Sequence, residues 1–201
     1  NWSEIKTFVE AEPRVISAGY SIEAFGVASS TKDVKTIAIS GIDPEFEARN
    51  SVIEKFMIAG GLPGLKSNLW GVVLGRTLGE FLEVEVGESV EIYSPRLTQN
   101  PVAIMPTFKK FTVVGIYDVG TQTLDSDMVM INIEAARRLT RSRSEQTNLN
   151  IRITDVLDAD EVALDLSTAL PQGMSVISWT SSLGNIYENI RLSRSIVGLM
   201  L

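Results

Sequence analysis

Polar and apolar positions along the chain divide into short runs of two periodicities. Over Val15 to Val27 the apolar residues Val15, Ile16, Ile22, Ala24, Phe25 and Val27 are spaced for a strand, with a break near Gly19. Lys35 to Ile42 alternates with β-branched residues and predicts a second strand. Asp43 then offers an N-cap and Pro44 fits the first helical position, opening a helix that would carry Phe46, Ile53 and Phe56 inward. Ala59 to Gly64 is a break. Gly71 to Gly75 reads as a short buried strand, Arg76 to Phe81 as a short helix and Val86 to Ser89 as a turn. Val90 to Tyr93 and Phe111 to Tyr117 form the two arms of a hairpin.

The second half continues in the same manner. Met128 to Ile131 predicts a strand and Ile133 to Arg141 a helix. Asn148 to Ile153 alternates as a half-exposed strand. Val156 to Leu170 is helical and Pro171 to Gly173 stops it. Met174 to Trp179 reads as a strand, and Leu183 to Leu201 as a helix with Leu183, Ile186, Ile190 and Val197 on one stripe. The expected fold is α+β in two lobes. Residues 1–58 and 140–190 make a mixed α/β lobe, and the β-rich residues 59–139 are inserted into it. The apolar end from Ser195 to Leu201 has no cap, and residues 191–201 read as the start of a truncated transmembrane helix. The chain is thus expected to be an excised domain lying beside a membrane.

One segment departs from these patterns. Ser94 to Lys110 joins the two hairpin arms and contains Pro95, Pro101 and Pro106, which exclude a regular helix and argue against a central strand. Its middle, Val102 to Met105, is nevertheless apolar, whereas hairpin connections are expected to be polar and exposed. Such a loop is either tucked onto the domain or offered to a partner. Pro95, Arg96, Pro101, Val102, Ile104, Met105, Pro106 and Lys109 are the candidate partner-binding residues. Arg96, Lys109 and Lys110 at its base could steer an acidic partner.

Composition narrows the chemistry. The chain contains no His and no Cys. That removes Ser-His-Asp and Cys-His nucleophilic sites, His-based proton transfer, almost every zinc, copper or iron site, and disulfides. The net charge is −7, and Arg137 to Arg143 is the one basic cluster, so a nucleic-acid partner is not expected. Asp125 and Asp127 are the best carboxylate pair. They could bind a cation or divide acid and base roles, but as turn residues leading into Met128 they need no catalytic explanation. Gly60 to Gly64 lacks the Gly-Lys-Ser/Thr end of a phosphate loop and reads as a joint. Asp155, Asp158, Asp160 and Glu161 suit a helix start. No catalytic, cofactor or metal site is expected.

Five motifs in order carry a resemblance. Ile39–Pro44 (ISGIDP), Gly71–Leu78 (GVVLGRTL), Val86–Val90 (VGESV), Thr112–Tyr117 (TVVGIY) and Asp125–Ile131 (DSDMVMI) resemble the periplasmic core of MacB-type ABC transporter subunits. More narrowly, the chain resembles the LolC/LolE-type membrane subunits of lipoprotein-releasing ABC transporters. The resemblance implies a porter-like α/β lobe and a β-rich sabre-like lobe, held in the periplasm of a bacterial inner membrane. It implies that ATP hydrolysis belongs to a separate cytoplasmic, LolD-like subunit. It also implies lipoprotein substrates, a partner membrane subunit, and a soluble LolA-like carrier engaged by a hook at the position of residues 94–110. A MacB-like mechanotransmission or adaptor-docking domain is the alternative. A LolC-like, a LolE-like and a hybrid subunit all remain open.

Overall fold

A computed structural model describes residues 2–94, 107–141, 147–171 and 174–182. The chain opens on α1 (Trp2–Glu10), a helix the sequence patterns did not announce. Two long strands follow, β1 (Val15–Ser29) and β2 (Val34–Ile42). Next come α2 (Pro44–Asn50), a 3-10 helix at Ile53–Phe56, β3 (Met57–Gly60), α3 (Pro63–Ser67), β4 (Gly71–Gly75) and α4 (Arg76–Leu82). The hairpin strands are β5 (Ser89–Ser94) and β6 (Thr107–Tyr117). They lead to α5 (Gln122–Asp127), β7 (Met128–Asn132), α6 (Ile133–Thr140) and β8 (Asn148–Ile153). A 3-10 helix at Val156–Asp158 precedes α7 (Ala159–Ala169), and α8 (Trp179–Ser182) closes the described chain. Helices and a mixed sheet together make the fold α+β.

The chain divides into two compact units, one of residues Asn1–Ala18 and Ile151–Leu201, the other of Gly19–Asn150. The boundaries read from sequence, 58/59 and 139/140, fall inside β3 and inside α6.

In the larger unit six strands pair in a closed ring. The order β2-β7-β4-β6-β5-β1 returns on itself because β1 also pairs with β2. Val27–Ser29 make the closure, pairing with Tyr93, Ile92 and Glu91 of β5 on one side and with Val34–Thr36 of β2 on the other. Closing a ring points alternate side chains of every strand inward. Ile22 and Ala28, Ile37 and Ile39, Val129 and Ile131, Val72 and Leu74, Phe111 and Val113, and Val90 and Ile92 accordingly share one core cluster. Leu78 and Leu82 of α4 and Ala136 and Leu139 of α6 join it. A second cluster lies on the opposite face of the strands. There Leu62 and Leu65, at and beside α3, pack with Ile42, Val73, Tyr117 and Met130.

Several local readings are corrected by these contacts. Gly19 does not interrupt the first strand; the Phe46 ring fills the place where a Cβ would sit, 2.3 Å from Phe46 Cδ1, so glycine here makes room for a side chain. Asp43 does cap α2, accepting from the Glu45 N–H at 3.0 Å. The helix stops at Asn50, however, and Phe56 is exposed instead of facing inward. Met174 to Trp179 is not a strand; it runs irregularly into α8. The second hairpin arm starts at Thr107, four residues before the predicted Phe111. The C-terminal stripe from Leu183 and the segment 191–201 lie outside the described residues.

Candidate functional site

The hairpin of β5 and β6 carries the surface of interest. Its arms are paired in register from Ser89 with Thr112 to Ser94 with Thr107. Pro95, Arg96, Pro101, Val102, Ile104, Met105 and Pro106 lie outside the described residues. Lys109 and Lys110 are described, and both sit within β6, where the sequence reading had them in the loop. Lys109 is paired with Ile92 and Lys110 with Glu91.

Successive residues of a strand face opposite ways, so the hairpin shows two different surfaces. On the inward-facing side, beyond Phe111, the Lys109 ammonium lies 5.4 Å from the centre of the Trp70 ring, within cation–π range. Trp70 meets Phe111 edge to face, with ring centroids 5.4 Å apart and planes at 76°. On the other side Tyr93 stacks on Phe108 at 5.2 Å and 22°. The Tyr93 hydroxyl donates to Glu91 at 2.6 Å, and that hydrogen bond to a carboxylate holds the phenol above its ordinary pKa.

Phe108 remains 53% exposed despite the stack. Phe25 lies two residues along β1 from Val27, the partner of Tyr93, and is 74% exposed. Exposed aromatics on the two strands flanking β5 make this face a candidate interaction surface. Phe25, Tyr93, Phe108 and Trp70 were not singled out from the sequence. The available signal was a large aromatic on the outward-facing parity of three separate strands.

The carboxylate candidates resolve into structural roles. Asp125 and Asp127 lie on α5, not in a turn. Asp125 is buried and accepts from the Val119 N–H at 2.9 Å and the Gly120 N–H at 2.8 Å, which ties down the turn before the helix. Asp127 instead pairs with Lys35 at 3.1 Å, and this partner holds its carboxyl below the usual range. The structure therefore gives the two carboxylates different neighbours and no shared site. Gly60 ends β3 with φ of 62°, packed on the Val114 carbonyl. Among the described residues no three carboxylates gather as metal ligands.

Comparison with known proteins places this architecture. The family model of the MacB-like periplasmic core domain matches residues 1–169. The chain belongs to that family. Among curated members, it is 27% identical over its whole length to "Lipoprotein-releasing system transmembrane protein LolC" of Xylella fastidiosa (strain Temecula1 / ATCC 700964), covering 48% of that protein. The LolC protein of Neisseria meningitidis serogroup B is 25% identical over the whole chain and is covered to 49%. A Haemophilus influenzae protein named LolE is 20% identical over 98% of the chain, which covers 47% of it. The chain thus spans about half the length of the curated relatives it matches.

Among solved structures, the periplasmic region of MacB from Actinobacillus actinomycetemcomitans superposes with a TM-score of 0.57 at 13% identity. That match covers 93% of this chain and 82% of the other. The extracellular domain of the ABC-type transporter YknZ from Gram-positive bacteria gives 0.56 at 10% identity, with 87% of each chain covered. Both agree with the MacB-like fold described above.

Proposed function

We propose that this domain is the periplasmic part of an inner-membrane subunit of an ABC transporter that releases lipoproteins and hands them to a soluble LolA-like carrier. Residues 94–110 act as the hook that engages the carrier. ATP hydrolysis belongs to a separate cytoplasmic subunit, LolD-like, and a second membrane subunit completes the complex. The whole-length match to proteins named LolC supports the transporter class, and the higher identity to LolC than to the LolE relative favours a LolC-type subunit.

The observation that carries the hook reading is the exposed aromatic surface at the base of the hairpin. Burying Val102, Ile104 and Met105 would contribute about 5–8 kcal/mol, at about 1.5–3 kcal/mol each. Association costs about 4–15 kcal/mol, so the loop by itself holds a partner weakly at best. Phe25 and Phe108 offer the additional apolar contact, and Lys109 and Lys110 offer charge that would speed encounter with an acidic carrier at low salt. A carrier that must leave after loading is served by this modest affinity.

The test is titration of the carrier against the full-length subunit in its complex. Replacing Pro101, Ile104 and Pro106 together is expected to weaken carrier binding by about tenfold or more, equivalent to about 1.4 kcal/mol. Unchanged affinity in a folded variant rejects the hook. The second reading, a mechanotransmission or adaptor-docking domain, is favoured by the likeness to the MacB periplasmic region. A neighbouring adaptor gene and a binding partner insensitive to the hook variant would select it.

A further inference from the structure

In the smaller unit the polar contacts converge on α7 and the segment just before it from two directions. The first comes from the chain just before β1. Arg14 reaches Asp165 through Nη2 and Glu161 through Nη1 at 3.3 Å, while its Nε donates to Glu12 at 2.7 Å. The Arg14 carbonyl accepts the Thr154 N–H at 2.9 Å. The second comes from the segment before α8. Ser178 donates to Asp160 Oδ1 at 2.6 Å, and the Thr180 hydroxyl donates to the same oxygen. Trp179 Nε1 donates to the Val156 carbonyl at 2.8 Å.

Glu161 and Asp165 are four residues apart and share one face of α7, whereas Asp160 is one residue, about 100°, around the helix. Val162 and Leu166, also four apart, bury a further stripe of it. The two sets of contacts use separate acidic positions on a helix fixed by its apolar stripe. We propose that α7 is a two-sided clasp that makes the polypeptide at residues 12–15 and at 178–180 move as one body. Each side is held by its own carboxylates, so each can be released without the other. The functional meaning rests on the transporter reading above: motion driven by ATP in the membrane would reach this unit through both chain segments together and not through one alone.

The domain contains no Cys, so labels can be placed at Ser3→Cys and Ser175→Cys without competing thiols within it. Spin-label distances would be measured in the full-length transporter with and without bound nucleotide. The expected result is one narrow distribution in both nucleotide states. Asp160→Ala, and separately Arg14→Met, should each widen it about twofold. Thr180→Val is the milder second variant, since it leaves Ser178 on Asp160, and it should widen the distribution less. Hydrogen exchange should rise in 174–182 for Asp160→Ala but around residues 12–18 for Arg14→Met. A distribution that already shifts with nucleotide in the parent, variants as narrow as the parent, or exchange rising equally at both segments in either variant would overturn the clasp. Lipoprotein release is assayed separately on the parent; its absence would reject the transport reading while the distances still decide the clasp.

Discussion

Gly75 and Asp125 meet backbone to backbone: a Cβ on Gly75 would lie 2.3 Å from the Asp125 carbonyl oxygen and 2.5 Å from its Cα. Gly75 ends β4 and precedes α4, and Asp125 lies in the middle of α5. Gly75→Ala must push α5 off the strand, because backbone cannot swing aside as a side chain can. The expected loss is about 1–3 kcal/mol, read as a lower urea midpoint with an unchanged slope.

Tyr117 reaches the far end of the same α5 region. Its hydroxyl donates to the Leu124 carbonyl at 2.8 Å, with the Met128 carbonyl at 3.2 Å. Tyr117→Phe removes the donor and leaves two part-buried carbonyl acceptors without it, at about 1 kcal/mol. Burial, with Asp125 nearby, also pushes the phenol up. In an alkaline absorbance titration Tyr117 should ionise later than an ordinary phenol, and the variant should lose that late component.

Glu23 and Glu47 oppose folding at neutral pH. Loss of water raises both pKa values, and Glu47 adds to the shift on Glu23 as Asp43 does on Glu47. Hydrogen bonds from Ser40 and Ser51 only partly offset this. A carboxyl whose folded pKa is raised binds its proton more tightly when folded, so its penalty is full above the folded value. The penalty is relieved as pH falls toward the unfolded value, about 4.3 for Glu. Glu47→Gln should therefore raise the neutral melting temperature by about 1–3 °C and flatten its rise on mild acidification. Asp127 has the opposite sign. Its lowered pKa gives stability that is present above the unfolded value and lost as pH falls through the folded one. Asp127→Asn should lower the neutral melting temperature, and thermal melts across pH check both signs.

Ser21 is 1% exposed, and its hydroxyl has no hydrogen-bond partner among the described residues. Ser21→Ala removes a desolvated polar atom and is expected to stabilise the fold by about 1 kcal/mol in chemical denaturation. A loss of stability instead would mean that the hydroxyl has a partner.

What could be read from the sequence was mostly local. The Asp43–Pro44 start of α2 needs only its own residues, and Gly71 to Gly75 announced a buried strand by being apolar throughout. Non-local contacts decided the rest. Gly19 looked like a break because nothing near it in sequence reveals the Phe46 ring. Asp125 looked like a turn residue because its partners, the Val119 and Gly120 amides, take their places only once the segment folds back. Val176 and Ile177 suggested a strand, yet the segment runs on into residues held by the Asp160 side chain of α7 and the Val156 carbonyl. At the candidate site, the proline-bracketed apolar loop stood out directly. The aromatics at its base did not, since alternation assigns each to a face without saying which face stays uncovered.

Trp70 gives the domain an optical reporter of its own. Its indole is in contact with Phe111 on one edge and has the Lys109 ammonium 5.4 Å from its ring centre. A positive charge at that position perturbs the excited indole, so drawing Lys109 toward an acidic partner should change the colour and yield of its fluorescence. With Trp2 and Trp179 replaced by Phe, docking at the hairpin could be followed in real time without any attached dye.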